Sequence, residues 1–154
     1  MNYGQIIEYD TANGPGFRLS LFVSGCSNHC EGCFQPETWN PKFGKEFTIE
    51  TEDKIIQSLK RKPHDGRITI LGGDPFELYN QEQVSKLIDR ICIEVPQKNI
   101  WIYLRIFIFF LFTMCDNIFK KNLTYFFCRN NYSYSIRCLI TGCRISIITL
   151  FILK

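Results

Sequence analysis

The last 51 residues of this 154-residue chain, from Leu104 onward, contain no Glu, Ala, Val, Pro or Trp and a single glycine. Their only acid is Asp116, against seven Lys and Arg, whereas residues 1–103 carry 14 acids against 11 bases. The net charge of +3 therefore joins two different compositions, and the two stretches are read separately. A secretory signal is also lacking: the first 20 residues hold Glu8, Asp10 and several glycines but no apolar core segment. The eight cysteines are accordingly read as thiols of a reducing cytoplasm, not as a disulfide framework. No apolar run is long enough for a bilayer. The one through Ile106–Phe112 lies between Arg105 and Cys115-Asp116, and Ser146–Leu153 does not reach that length either. No membrane partner is expected. Nucleic acid is not expected either, because the positive charge sits in the tail without a recognisable binding motif.

What is present in residues 1–103 alternates between strand and helix patterns, enough for one domain with a sizeable core. Gln5–Tyr9 predicts a short edge strand, and Phe17–Ser24 a strand ending at Gly25. Thr51–Lys62 predicts a helix with Ile55, Ile56 and Leu59 on one face. Acids lead it (Glu52, Asp53), bases close it (Lys60, Arg61, Lys62), and Pro63 stops it. Arg67–Leu71 predicts the next strand, broken by Gly72-Gly73-Asp74-Pro75. A helix follows, with Asn80 as its cap, Gln83 reaching back, and Val84, Leu87, Ile88, Ile91, Cys92 and Val95 on one face. Pro96 ends it, and Asn99–Tyr103 predicts a further strand. The alternation implies an α/β fold with a parallel sheet and right-handed crossovers.

The tail follows neither pattern. It holds 8 of the 14 phenylalanines and 4 of the 8 cysteines, and its bias to Phe, Ile, Leu, Asn, Lys and Tyr is what AT-rich codons yield out of frame. The reading is a frameshift near codon 104 that replaced the original C-terminal third, with a genuine but unusual hydrophobic tail as the alternative. No structure is assigned to residues 104–154, and Cys115, Cys128, Cys138 and Cys143 receive no role.

Three motifs carry chemistry. Cys26-Ser27-Asn28-His29-Cys30-Glu31-Gly32-Cys33 places three thiols in eight residues directly after a strand. Three thiolates can ligate three irons of a cubane and leave the fourth open to a small chelating molecule. Zinc is the alternative, with His29 or a distant residue as fourth ligand, although structural zinc sites favour two Cys-x2–4-Cys pairs. Gly72-Gly73-Asp74-Pro75 taken alone is a turn. Because it also follows a strand, it falls on the same carboxyl edge of a parallel sheet, where ligands gather. There two glycines admit close backbone approach, and Asp74 offers a carboxylate to an ammonium group. The third motif, Asp10-Thr11-Ala12-Asn13-Gly14-Pro15-Gly16-Phe17-Arg18, reads without context as a tight loop before a strand, Arg18 being a solvated charge. His64 reads as a surface loop residue and Cys92 as core.

Together the three motifs resemble radical S-adenosylmethionine enzymes, and more narrowly the activating enzymes of glycyl-radical proteins. Gly14-Pro15-Gly16-Phe17-Arg18 and Leu21-Phe22-Val23-Ser24-Gly25-Cys26 look like that subfamily's N-terminal signature. Cys33-Phe34-Gln35-Pro36-Glu37-Thr38-Trp39, without a ferredoxin-like insert, is similar to the branch acting on anaerobic ribonucleoside-triphosphate reductase. The resemblance covers roughly residues 3–103, after which Leu104-Arg105-Ile106 stands where the family is expected to have a Thr-Gly-Tyr-like turn. It implies a partial parallel (β/α) barrel-like sheet over residues 1–103. It implies a [4Fe–4S] cluster on Cys26, Cys30 and Cys33, and S-adenosylmethionine with its amino group oriented by Gly72, Gly73 and Asp74. Asn28 and His29 would tune or shield the cluster. The implied partners are the large subunit of the reductase, which receives a glycyl radical, and a flavodoxin-like electron donor. Two rival readings stand beside it: a radical enzyme acting on another substrate, and a non-catalytic metal-binding module.

Overall fold

The computed structural model describes residues 1–64, 66–97 and 99–104, and the backbone of the strands within 125–130, 133–140 and 143–150. The apolar run Ile106–Phe112 lies outside the described residues, as does Cys115. The chain forms β1 (Asn2–Asp10), β2 (Arg18–Val23), a 3-10 turn (Pro36–Trp39), β3 (Lys45–Glu46), α1 (Ile49–Leu59), β4 (Arg67–Gly72), α2 (Leu78–Glu94), β5 (Asn99–Leu104), β6 (Tyr125–Asn130), β7 (Ser133–Ile140) and β8 (Cys143–Leu150). They make one mixed sheet in the order β3-β1-β2-β4-β5-β8-β7-β6.

The parallel centre expected from the strand–helix alternation is present: β2 pairs with β4 and β4 with β5, both parallel. Leu19, Leu21 and Val23 of β2, Ile68 and Ile70 of β4, and Ile100 and Ile102 of β5 are buried and, two residues apart, share one face of the sheet. With them are buried Ile55, Ile56 and Leu59 of α1 and Val84, Leu87, Ile88 and Ile91 of α2, so the predicted helix faces form the core. Cys92 packs against that core, partly buried.

The sheet is mixed, not wholly parallel. β1 pairs antiparallel with β2, and the two-residue β3 pairs outside β1, so β1 is longer than predicted and is not the outermost strand. On the other side β5 pairs parallel with β8, in register from Asn99↔Arg144 to Leu104↔Thr149, and β7 and β6 follow antiparallel. The far edge of β5 is thus covered by backbone from the tail. No helix among the described residues is long and apolar enough to cross a membrane.

Helix ends depart from the sequence reading for local reasons. The Thr48 hydroxyl accepts from Thr51 N–H at 3.4 Å and caps α1, which starts at Ile49 and ends at Leu59. Lys60, Arg61 and Lys62 lie beyond the last turn, where the chain doubles back and Gly66 N–H bonds the Leu59 carbonyl at 3.1 Å. The predicted dipole partners act between helices instead. Arg90 of α2 bonds Glu52 at 3.1 Å, and also reaches Asp53 and Glu94, while Lys60 pairs with Glu94 at 2.9 Å. The same fold-back corrects His64: it is 1% exposed, its ring stacked on Tyr9 with centroids 5.0 Å apart. Asn80 is not the cap of α2. Glu77 holds that position without a side-chain cap bond, and Asn80 lies in the first turn, fully buried.

Candidate metal centre

β2 and β4 run in parallel register to Val23↔Gly72, so the cysteine loop and the Gly-Gly-Asp turn leave the sheet side by side. Their backbones are hydrogen-bonded to each other: Gly73 N–H donates to the Val23 carbonyl at 2.7 Å, and Asp74 N–H to the Gly25 carbonyl at 2.8 Å. This contact explains the two glycines. A Cβ on Gly73 would lie 2.5 Å from the Gly25 oxygen, and one on Gly72, whose φ is +104°, would lie 2.8 Å from the Val23 oxygen. Their smallness serves first to seat one loop on the other.

Asn80 completes the joint. Its Nδ2 donates to the Ser24 carbonyl and to the Asp74 carbonyl, each at 3.0 Å, one on either loop. Buried carbonyls need such donors, because an unpaired one costs as much as a lost hydrogen bond. On the far side the 3-10 turn supports the loop's neck: Gly25 N–H donates to the Thr38 carbonyl at 2.6 Å and Cys26 N–H to the Trp39 carbonyl at 3.2 Å. His29, with φ +43°, stacks its ring on Trp39 at 4.6 Å between centroids.

Cys26, Cys30 and Cys33 are partly exposed thiols on this loop, none of them in a disulfide, and Cys33 N–H bonds the Cys30 carbonyl at 3.2 Å. Asn28 Nδ2 donates to Cys26 Sγ at 3.6 Å and to Asp74 Oδ2 at 3.1 Å. Asp74 is buried, and its Oδ1 accepts from Phe76 N–H at 2.8 Å. Glu77 accepts from Ser27 N–H at 2.6 Å. Burial pushes the Cys26 thiol up, and the hydrogen bonds with Asn28 pull the other way. The Tyr79 ring lies over Gly25, and burial, followed by the charges of Glu77, Cys26 and Asp74, pushes its phenol up to about 12.

The structure therefore joins Cys26, Asn28, Gly72, Gly73 and Asp74, with His29 turned aside onto Trp39. Among the described residues no group of three or more His, Cys, Asp or Glu closes on a single metal ion. A cubane makes a different demand, since each thiolate meets its own iron. Three unbridged thiols on one loop match that donor set in kind and number. The clamp residues Asn80, Glu77, Trp39 and Tyr79 carry no sequence signal that assigns them to the site. Glu77, Tyr79 and Asn80 come together from the start of α2, and only Trp39, in the stretch after Cys33, lies within a recognised motif.

Arg18 lies at the other end of β2, and it is not solvated. It is fully buried, and Nε donates to Thr69 Oγ1 at 2.7 Å. Its terminal nitrogens reach the Ile68 carbonyl at 2.7 Å and Asn99 at 3.0 Å (carbonyl) and 3.1 Å (Oδ1). The guanidinium carbon stands 5.1 Å from the Trp101 ring centroid. The Gly-Pro-Gly-Phe-Arg stretch thus ties the starts of β2, β4 and β5 together. A Cβ on Gly14, at φ +134°, would meet the Arg18 side chain at 2.9 Å.

Comparison with known proteins agrees with this geometry. Residues 12–115 match the family model described as a 4Fe-4S single cluster domain. A protein of Vibrio cholerae is 43% identical over 104 residues, 67% of each chain. One of Escherichia coli K12 is 44% identical over 105 residues, covering 67% of this chain and 68% of the other. One of Enterobacteria phage T4 is 40% identical over 103 residues, covering 67% and 65%. The matches thus span about two thirds of these relatives' length. No solved structure matches. All three relatives are named anaerobic ribonucleoside-triphosphate reductase-activating protein. With the cluster loop intact and identity at this level, the chain belongs to the family of the anaerobic ribonucleoside-triphosphate reductase-activating proteins.

Proposed function

We propose that this chain is a radical S-adenosylmethionine activating enzyme that installs a glycyl radical on the large subunit of anaerobic ribonucleoside-triphosphate reductase. One observation carries the reading. The three-cysteine loop and the Gly-Gly-Asp turn meet backbone to backbone at the carboxyl edge of β2 and β4, in a chain 43% identical to a protein named anaerobic ribonucleoside-triphosphate reductase-activating protein. When bound, a [4Fe–4S] cluster supplies one electron that breaks the S–C5′ bond of S-adenosylmethionine, releasing methionine and leaving a fragment that takes a hydrogen atom from a glycine Cα to become 5′-deoxyadenosine.

The chain's own residues supply position. Cys26, Cys30 and Cys33 hold three irons and leave one open. Gly72 and Gly73 offer backbone at short range, and Asp74 receives an ammonium group. Asp74 is well placed for that, because Phe76 N–H and Asn28 already orient both of its oxygens. His29 on Trp39 shields the outer side of the loop. Within this proposal residues 1–103 are the core, as a partial barrel-like β/α sheet, and 104–154 are an aberrant tail. A flavodoxin-like donor in the cytoplasm supplies the electron.

The test is anaerobic iron and sulfide reconstitution, then an assay for 5′-deoxyadenosine with dithionite and S-adenosylmethionine, with Cys30→Ala as control. Product from the parent alone supports the reading. Zinc uptake with no cluster replaces it with a metal-binding module.

A further inference from the structure

The Asn28 side chain spans the two loops of the centre at a single atom. Nδ2 carries two hydrogens, and it has two acceptors: Cys26 Sγ at 3.6 Å and Asp74 Oδ2 at 3.1 Å. The first acceptor is two residues away on the same loop. The second is 46 residues away, on the turn after β4. Other bonds between these segments are Asp74 N–H to Gly25, Gly73 N–H to Val23, Asn80 to both carbonyls, and Ser27 N–H to the Glu77 carboxylate. Asn28 differs from these in touching a ligand thiol and the Asp74 carboxylate at once.

We propose that Asn28 is a positioning residue that couples the Cys26 sulfur to the Asp74 carboxylate and sets the reduction potential of the cluster that the proposed function, on which this inference rests, assigns to the loop. The physical reason is direct. An N–H donated to a ligand sulfur stabilises the more negative, reduced state and so raises the potential. The same amide holds the Asp74 carboxylate by its other hydrogen, so ligand sulfur and carboxylate keep a fixed spacing. Other side chains at this position do less. Aspartate offers no donor and sets a like charge against Asp74, whereas leucine fills similar volume with no polar atom. Asn28 is exposed, so these exchanges leave the core untouched.

The experiment compares the parent with Asn28→Leu and Asn28→Asp after anaerobic reconstitution. Iron content is measured first, and then the midpoint potential by a redox titration followed by electron paramagnetic resonance. The expected result is equal iron in all three proteins, a lower potential in Asn28→Leu, and a lower one again in Asn28→Asp. Equal potentials in parent and Asn28→Leu, with the cluster present in both, overturn the role of Asn28 and leave the proposed function standing. A parent that takes up no cluster overturns both. An Asn28→Leu protein that alone fails to hold iron also overturns the proposal, because Asn28 is then needed for assembly and not for tuning.

Discussion

Asp74 donates its backbone N–H to the carbonyl of Gly25 at 2.8 Å, and through that bond the turn after β4 rests on the neck of the cysteine loop. The neighbouring Gly73 has no room for a side chain, since a Cβ there would stand 2.5 Å from the same oxygen. Gly73→Ala must push the two loops apart, at a cost of about 1–3 kcal/mol, the usual range for overpacking. The expected outcome is a lower denaturation midpoint together with reduced iron uptake. Both are read on one preparation by urea titration and iron analysis. Unchanged iron uptake would show that the thiols hold their places without the turn.

Asn80 is a second joint, and its removal separates the same loops by loss and not by crowding. Asn80→Leu leaves the Ser24 and Asp74 carbonyls without their amide donor in a buried place, which costs about 2–4 kcal/mol for two such groups. Asn80→Asp is expected to be worse, because a carboxylate would face two carbonyl oxygens. Equilibrium unfolding ranks the three proteins, and an order with Asp above Leu contradicts the clamp.

Arg18 stabilises the opposite end of the sheet. Arg18→Met removes the donors to Thr69, Ile68 and Asn99 and is expected to cost about 2–4 kcal/mol, the penalty range for stranding buried acceptors. Arg18→Lys can reach only part of that set and falls between parent and Met. Because this end lies away from the thiols, iron uptake by the folded fraction should stay at the parent level. Loss of iron without loss of stability would place Arg18 in the centre.

Asp10 makes the fold sensitive to acid. Burial pushes its carboxyl up, but hydrogen bonds from Asn13 Nδ2 at 2.6 Å and Ala12 N–H at 2.8 Å outweigh this and hold it below its ordinary 3.8. A carboxyl lowered on folding binds its proton more weakly in the native state. Its stabilisation is therefore complete above about pH 4 and is lost as pH falls through the folded value. Asn13→Ala raises that value, so the acid limb of a stability–pH curve is expected to move to higher pH. A limb that stays in place removes Asn13 from the account.

The change in composition at Leu104 makes a prediction about the gene. A frameshift near codon 104 requires that another frame continue the α/β pattern downstream. Resequencing tests this: an intact second frame supports it, and a single clean frame through codon 154 rejects it. In the latter case β8, paired along β5 from Asn99 to Leu104, is this chain's own inner strand, between β5 and β7.

The helices and central strands are legible because their signals are local. Ile55, Ile56 and Leu59, or Val84, Leu87, Ile88 and Ile91, mark a face by spacing alone, and that face is what the sheet buries. Helix ends are less legible. Thr48 and Asn80 are both short polar residues near a helix start, yet Thr48 caps and Asn80 clamps, since the choice depends on what lies opposite.

By itself, the sequence determined that three thiols sit together after a strand and that a glycine-rich turn follows the next strand, because both are matters of near neighbours. Tertiary structure alone decided which polar residues face inward. Arg18 finds its partners 50, 51 and 81 positions away, and Asn80 reaches Ser24 across 56. His64 is buried against Tyr9 by a fold-back that its neighbours do not announce. A charge or amide is buried only when distant acceptors arrive to satisfy it, and no local window of sequence contains those acceptors.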